Sequence, residues 1–205
     1  DVFDRRKYIN FNILKSCKEY FFDQLAKYGL ECHMITGNHD TYFKNTNDVN
    51  SLDLLLSKYK GVIQTYKDPT VVSIRSPENK EYGFVMMPWI CSDNYQQAMT
   101  IVRSTTAPIM FAHLELSGFN MYKGHLNEHG MDPNIFAKFD HVYSGHFHHR
   151  STQGNITYHG NPYPITWNDY DDPRGFSILD LDTLELEFVP NPYDIFLKFL
   201  YDDTR

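Results

Sequence analysis

Short apolar runs recur along this chain, and the residues that follow them are of the kinds that bind metal ions and move protons. Residues 32–35 lead into Gly37-Asn38-His39-Asp40, residues 109–113 end on His113, and residues 141–144 run into Gly145-His146-Phe147-His148-His149. Runs of about four to eight apolar residues bounded by turn formers read as buried strands. Helical patterns lie between them. Over residues 9–28, Leu14, Cys17, Phe21, Leu25 and Tyr28 recur at spacings of three and four, and Gly29 suits the position just past a helix end. Asn50-Ser51 caps a second helix expected to run to Lys58. Residues 94–103 predict a third helix and residues 133–139 a short fourth. Further strands are expected at 62–66, 70–74, 82–87, 156–159, 176–181 and 184–189, the last two as a hairpin. Pro88 closes the 82–87 strand, because proline cannot donate to a ladder. Strands and helices mixed throughout predict an α/β domain, and in such architectures sites are built past the carboxyl ends of strands.

Composition narrows the function. The 205 residues are 41% apolar and 22% charged, ordinary values for a chain that buries a core. With 19 Lys plus Arg against 26 Asp plus Glu the net charge is −7. A general electrostatic grip on nucleic acid needs a basic face and is therefore not expected. Any such contact would rest on bound metal, a few local cations or a partner. No apolar run approaches the roughly 20 residues of a membrane span, and no signal-peptide pattern opens the chain. Three cysteines, Cys17, Cys32 and Cys91, fit a reducing cytoplasm better than a disulfide scaffold and read as small buried apolar residues.

Asp1, Asn38-His39-Asp40, His113, His146 and His148 are the residues with chemistry to offer. Carboxylate, carboxamide oxygen and imidazole together suit borderline divalent ions such as Mn²⁺, Zn²⁺ or Fe²⁺. In an extended segment residues i and i+2 point the same way, so the His146 and His148 imidazoles can face one site or two adjacent metals. A carboxylate can bridge two ions, and a pair roughly 3.5–4 Å apart can clamp a phosphate for in-line attack by water.

These motifs carry a resemblance. Asp1-Val2-Phe3-Asp4-Arg5, Gly37-Asn38-His39-Asp40, the lone His113 and Gly145-His146-Phe147-His148 resemble, in that order, the motifs of the calcineurin-like metallophosphoesterase superfamily. Within it they look most like the SbcD-type recombination nucleases and their bacteriophage relatives. Met87-Pro88-Trp89 and Asp172-Pro173-Arg174-Gly175-Phe176 resemble the phage nucleases more weakly. The resemblance implies a two-sheet sandwich flanked by helices and two bound divalent ions, Mn²⁺ foremost. It implies that Asp1 bridges the ions, that Asn38, His113 and His146 complete one site, and that His148 ligates the other. His39 would steady the phosphate and protonate the leaving oxygen, Asp4 would pair with His39, and Arg5 would hold phosphate. A carboxylate beside an imidazole keeps it protonated, which suits a general acid. The reaction implied is hydrolysis of DNA phosphodiesters in end processing for recombination and repair, in the cytoplasm or a phage host's cytoplasm. An SbcC-type ATPase is the implied partner, and a homodimer is compatible with the resemblance.

The family's first motif, Asp-x-His on a strand upstream of Asp1, supplies the other ligands of the His148 site and is not in this sequence. The chain, which opens without Met, is accordingly expected to lack the first strand of the fold. Residues 1–190 are read as an incomplete phosphoesterase domain and 191–205 as a tail or the start of a following region, without the family's DNA-capping part. Two other readings stay open: a phosphatase or cyclic-nucleotide phosphodiesterase of the same superfamily, and a non-catalytic assembly subunit. His33, His125, His129, His141, His149 and His159 match no motif and are read as structural; Trp89 and Tyr163 are read as packing residues with base stacking as the alternative.

Overall fold

The computed structural model describes residues 1–76 and 78–202. In chain order it contains α1 (Phe11–Cys17), a π-helical turn (Lys18–Phe22), α2 (Asp23–Tyr28), β1 (Cys32–Ile35), α3 (Ser51–Leu55), β2 (Ile63–Tyr66), β3 (Thr70–Arg75), β4 (Glu81–Met87), α4 (Tyr95–Ser104) and β5 (Ile109–His113). There follow β6 (Asn120–Tyr122), β7 (His125–Leu126), β8 (His141–Gly145), β9 (Ser151–Gln153), β10 (Ile156–Tyr158), β11 (Gly175–Leu179) and β12 (Leu186–Pro190). Three-residue 3₁₀ turns sit at Ser57–Tyr59 and Trp167–Asp169, and a longer one at Pro133–Phe136. The protein is thus α/β.

The main sheet has six strands in the order β3-β4-β5-β8-β10-β9. β4, β5, β8 and β10 run parallel, while β3 and β9 close the two edges antiparallel. β1 and β2 form a separate parallel pair, and β11 and β12 the expected hairpin. Side-chain alternation divides the packing into layers. Val85, Met87, Met110, Ala112 and Val142 point to one face of the main sheet, where they meet Ala98, Met99 and Val102 of α4 together with Phe136 and Phe139. Phe84, Met86, Ile109 and Tyr143 point to the other, against Ile35 and Tyr66 of the β1–β2 pair and Leu179 and Leu186 of the hairpin. The outer face of β1–β2, through Met34 and Ile63, packs on Phe3, Phe22, Leu52 and Leu56. One face of the six-stranded sheet is thus covered by α4, and the other by two separate two-stranded sheets, β1–β2 and β11–β12.

The first helix departs from its expected face. Phe21 and Tyr28 are exposed while Phe22 is fully buried. The inward-facing series runs Leu14, Cys17, Phe22, Leu25, and its step of five spans the π turn, whose wider i→i+5 pattern rotates the rest of the helix. Gly29 ends the helix in the left-handed region (φ +63°), as a C-terminal glycine should. Asn50 caps α3 by accepting from Asp53 N–H, but the α-helix stops at Leu55 and residues near Lys58 form only a 3₁₀ turn. The short helix expected over 133–139 is likewise a 3₁₀ turn ending at Phe136. Residues 191–202 carry no regular secondary structure.

No described helix is long and apolar enough to cross a membrane.

Candidate metal centre

The carboxyl ends of β1, β4, β5 and β8 meet at one edge of the layers. In the parallel ladder Met87 pairs with Ala112 and His113 with Gly145, so the residues leaving β4, β5 and β8 are neighbours. Trp89 N–H donates to Thr36 O at 2.8 Å and fastens the end of β4 to the end of β1. The two sheets thus deliver Gly37-Asn38-His39, Trp89, His113 and His146 to one place.

Asp40 brings the chain's first residues there as well. Its fully buried carboxylate accepts from Gly37 N–H (3.0 Å), Val2 N–H (2.9 Å), Phe3 N–H (3.2 Å) and Ser51 Oγ (3.2 Å). Asp1 then lies over the loop, where His39 N–H donates to its Oδ1 at 2.6 Å. Only glycine fits beneath it, since a Cβ on Gly37 would stand 2.2 Å from that Oδ1.

Asp1, His113 and His146 each present a ligand atom, all within 4.8 Å of one another. Asp1 Oδ2 is 3.2 Å from His113 Nε2. Asn38 Oδ1 sits between the imidazoles, 2.9 Å from His113 Nε2 and 3.1 Å from His146 Nδ1. Four sequence-predicted residues are therefore brought together. Burial holds the His113 imidazole well below its ordinary pKa and lowers that of His146 to about 3, the proximity of His113 adding to the burial. Both rings are neutral at physiological pH. Two neutral imidazoles, one carboxylate and one carboxamide oxygen, converging with nitrogen and oxygen lone pairs, form a donor set that suits a borderline divalent cation.

The other predicted residues lie around this cluster. His39 donates from Nδ1 to the backbone carbonyl of Asp4 at 2.6 Å, and the Asp4 carboxylate lies 3.9 Å from the same nitrogen, so Asp4 meets His39 through both groups, the main-chain contact being the shorter. Arg5 is exposed and turns to Asp4 (3.6 Å) and to the Tyr8 hydroxyl (2.6 Å). His148 is outside the Asp1–His113–His146 group, and its Nδ1 lies 3.3 Å from Asp169 Oδ1. His146 and His148 do not lie on one extended segment. The strand ends at Gly145, and His146 adopts φ +85°, a left-handed conformation that turns the chain before His148.

Four residues at this edge were not assigned its roles from the sequence. Asp40 acts as the anchor of the first residues. Glu115 Oε2 lies 3.9 Å from His146 Nε2. The Trp89 ring is 5.2 Å from that of His146, and a cleft opens beside His113 between Trp89, Ile90, Leu114, Glu115 and Met131. Asp169 closes a capping box with Thr166, and the Thr166-x-x-Asp169 spacing was the signal that could have found it.

No family model matches the chain. The chain is 35% identical over 191 residues to exonuclease subunit 1 of Enterobacteria phage T4, an alignment that covers 93% of this chain and 54% of that relative. The chain therefore spans about half the length of the relative it matches, and across that span it is similar to a phage nuclease subunit.

Proposed function

We propose that the chain carries the catalytic part of a metal-dependent DNA nuclease subunit of the calcineurin-like, SbcD-related kind. The observation that carries this reading is the convergence of Asp1, Asn38, His113 and His146, drawn from four separate stretches of sequence, at the strand ends of an α/β fold. The similarity to a phage exonuclease subunit supports it. Asp1, Asn38, His113 and His146 would hold one divalent cation, Mn²⁺ by resemblance, and Asp1 and His148 would contribute to a second. Bound there, such ions neutralise a phosphodiester's charge and activate water toward phosphorus.

The side chains do the rest. His113 and His146 are kept neutral by burial and so keep a lone pair to give. His39, tethered through Nδ1 to Asp4 O, leaves Nε2 to touch the phosphate and, when the ring is the doubly protonated imidazolium, to pass its Nε2 proton to the departing oxygen. Arg5, exposed near the same edge, would exchange its contacts with Asp4 and Tyr8 for the backbone of the substrate. Because the net charge is −7, the basic surface for DNA is assigned to a partner. An SbcC-type ATPase suits that need, in an assembly in which this subunit pairs with itself, and the reaction belongs to the processing of DNA ends.

Incubation of the full-length protein with Mn²⁺ and linear duplex DNA tests the reading. Shortened or nicked DNA is expected, and His39→Ala should keep its Mn²⁺ and lose about a hundredfold or more in cleavage rate. Hydrolysis of a small phosphate ester with DNA left intact would move the chain to the phosphatase reading. Failure to bind Mn²⁺ or cut any ester would leave a non-catalytic subunit.

A further inference from the structure

The 146–149 loop is gripped from behind by residues of the turn-rich connection before β11. Asp169 is fully buried and its Oδ2 accepts from Ile165 N–H (2.8 Å) and Thr166 N–H (2.9 Å). Its Oδ1 faces Arg174 Nη2 (3.2 Å) and His148 Nδ1 (3.3 Å). Arg174, almost as buried, donates through Nη1 to His148 O and through Nη2 to Asp172 Oδ2, and Asp172 in turn meets His149 Nδ1 at 2.9 Å. All three of these other partners, the Ile165 and Thr166 amides and the Arg174 guanidinium, are donors, so the Asp169 carboxylate is an acceptor that cannot turn away.

We propose that Asp169 is the positioning residue of His148, holding the proton on Nδ1 and so presenting Nε2 as a bare lone pair to a cation. The inference rests on the assignment of His148 to the second ion. An imidazole that ligates through one nitrogen needs its other N–H engaged, and a buried carboxylate supplies that with the tautomer and the ring plane both set. Among the described residues Nε2 of His148 has no hydrogen-bond partner, which leaves it for a ligand. The neighbouring Asp172, which engages His149 and not His148, is the internal control.

Long-range ¹⁵N–¹H correlation on the histidine-labelled, metal-free full-length protein reads the tautomer directly. His148, assigned by its loss in His148→Gln, should carry hydrogen on Nδ1; hydrogen on Nε2 in the wild-type protein would overturn the proposal whatever the variants do. Mn²⁺ titration followed by electron paramagnetic resonance supplies the second reading. Asp169→Asn should lose the single tautomer and weaken one of two Mn²⁺ sites about tenfold or more, with the other unchanged, while Asp172→Asn keeps both. An Asp169→Asn protein with wild-type tautomer and wild-type affinities would overturn the proposal. The underlying assignment fails separately: if His148→Ala binds both ions as tightly as the wild type, His148 is no ligand and the proposal falls with it.

Discussion

Asp1 Oδ1 accepts a 2.6 Å hydrogen bond from the backbone N–H of His39, so the first carboxylate of the chain is seated on the loop that follows β1. That seat exists because Gly37 lacks a side chain. A methyl group there would meet Asp1 Oδ1 at 2.2 Å and the Asp1 nitrogen at 2.7 Å, distances that force the residue away. Gly37→Ala should lower Mn²⁺ affinity about tenfold or more, measured by titration. Gly145→Ala should be much milder, because its Cβ would stand 3.3 Å from His113 Nδ1, a contact a small shift relieves.

Asp40 is the joint between the first residues and the rest of the fold. Replacing it by alanine strands the buried amides of Phe3 and Gly37 together with the Val2 amide and the Ser51 hydroxyl. Buried donors left without partners cost about 1–3 kcal/mol each, partly recovered by water at this edge. Asp40→Ala should therefore lose about 3 kcal/mol or more in urea unfolding, and Mn²⁺ affinity should fall with it because Asp1 loses its neighbours' anchor.

Acid should weaken the fold through its buried histidines. Burial, helped by the Arg150 charge, lowers His159 to about 4. In the unfolded chain a histidine takes up its proton near pH 6.5, so between about 6.5 and 4 the unfolded state binds the proton and the folded state does not. The stability held by neutral His159 is complete above pH 6.5 and declines as the pH falls through that window, by at most about 1.4 kcal/mol per pH unit. His113 and His146 titrate in the same direction. Unfolding of metal-free wild type and His159→Gln across pH 4–7 should show a shallower acid slope in the variant.

Much of the layered fold was legible because its strands are short, apolar and bounded by turn residues, and because Gly29, Asn50 and Pro88 mark boundaries with side chains or backbones that admit few alternatives. The helix face was misjudged at Phe21 because a π turn adds a residue to the repeat without any sign in composition. The edge strand β9 and the β6–β7 hairpin escaped because runs of two or three residues carry no period. In the site, Asn38, His113 and His146 were readable from motif and strand end. The turn between His146 and His148 was not, since the i, i+2 rule holds only for extended backbone and His146 sits at positive φ. At His39 the Asp4 carbonyl takes the hydrogen bond while the Asp4 carboxylate stays at 3.9 Å, a division between two acceptors of one residue that no spacing encodes.

The proposed function stands or falls with a divalent ion held by Asp1, Asn38, His113 and His146. Diffraction from crystals of the full-length protein grown with Mn²⁺, recorded on either side of the manganese absorption edge, tests it most directly. An anomalous peak within bonding distance of Asp1, Asn38 Oδ1, His113 Nε2 and His146 Nδ1 is expected. A map with no peak there, or with manganese only at other side chains, would contradict it.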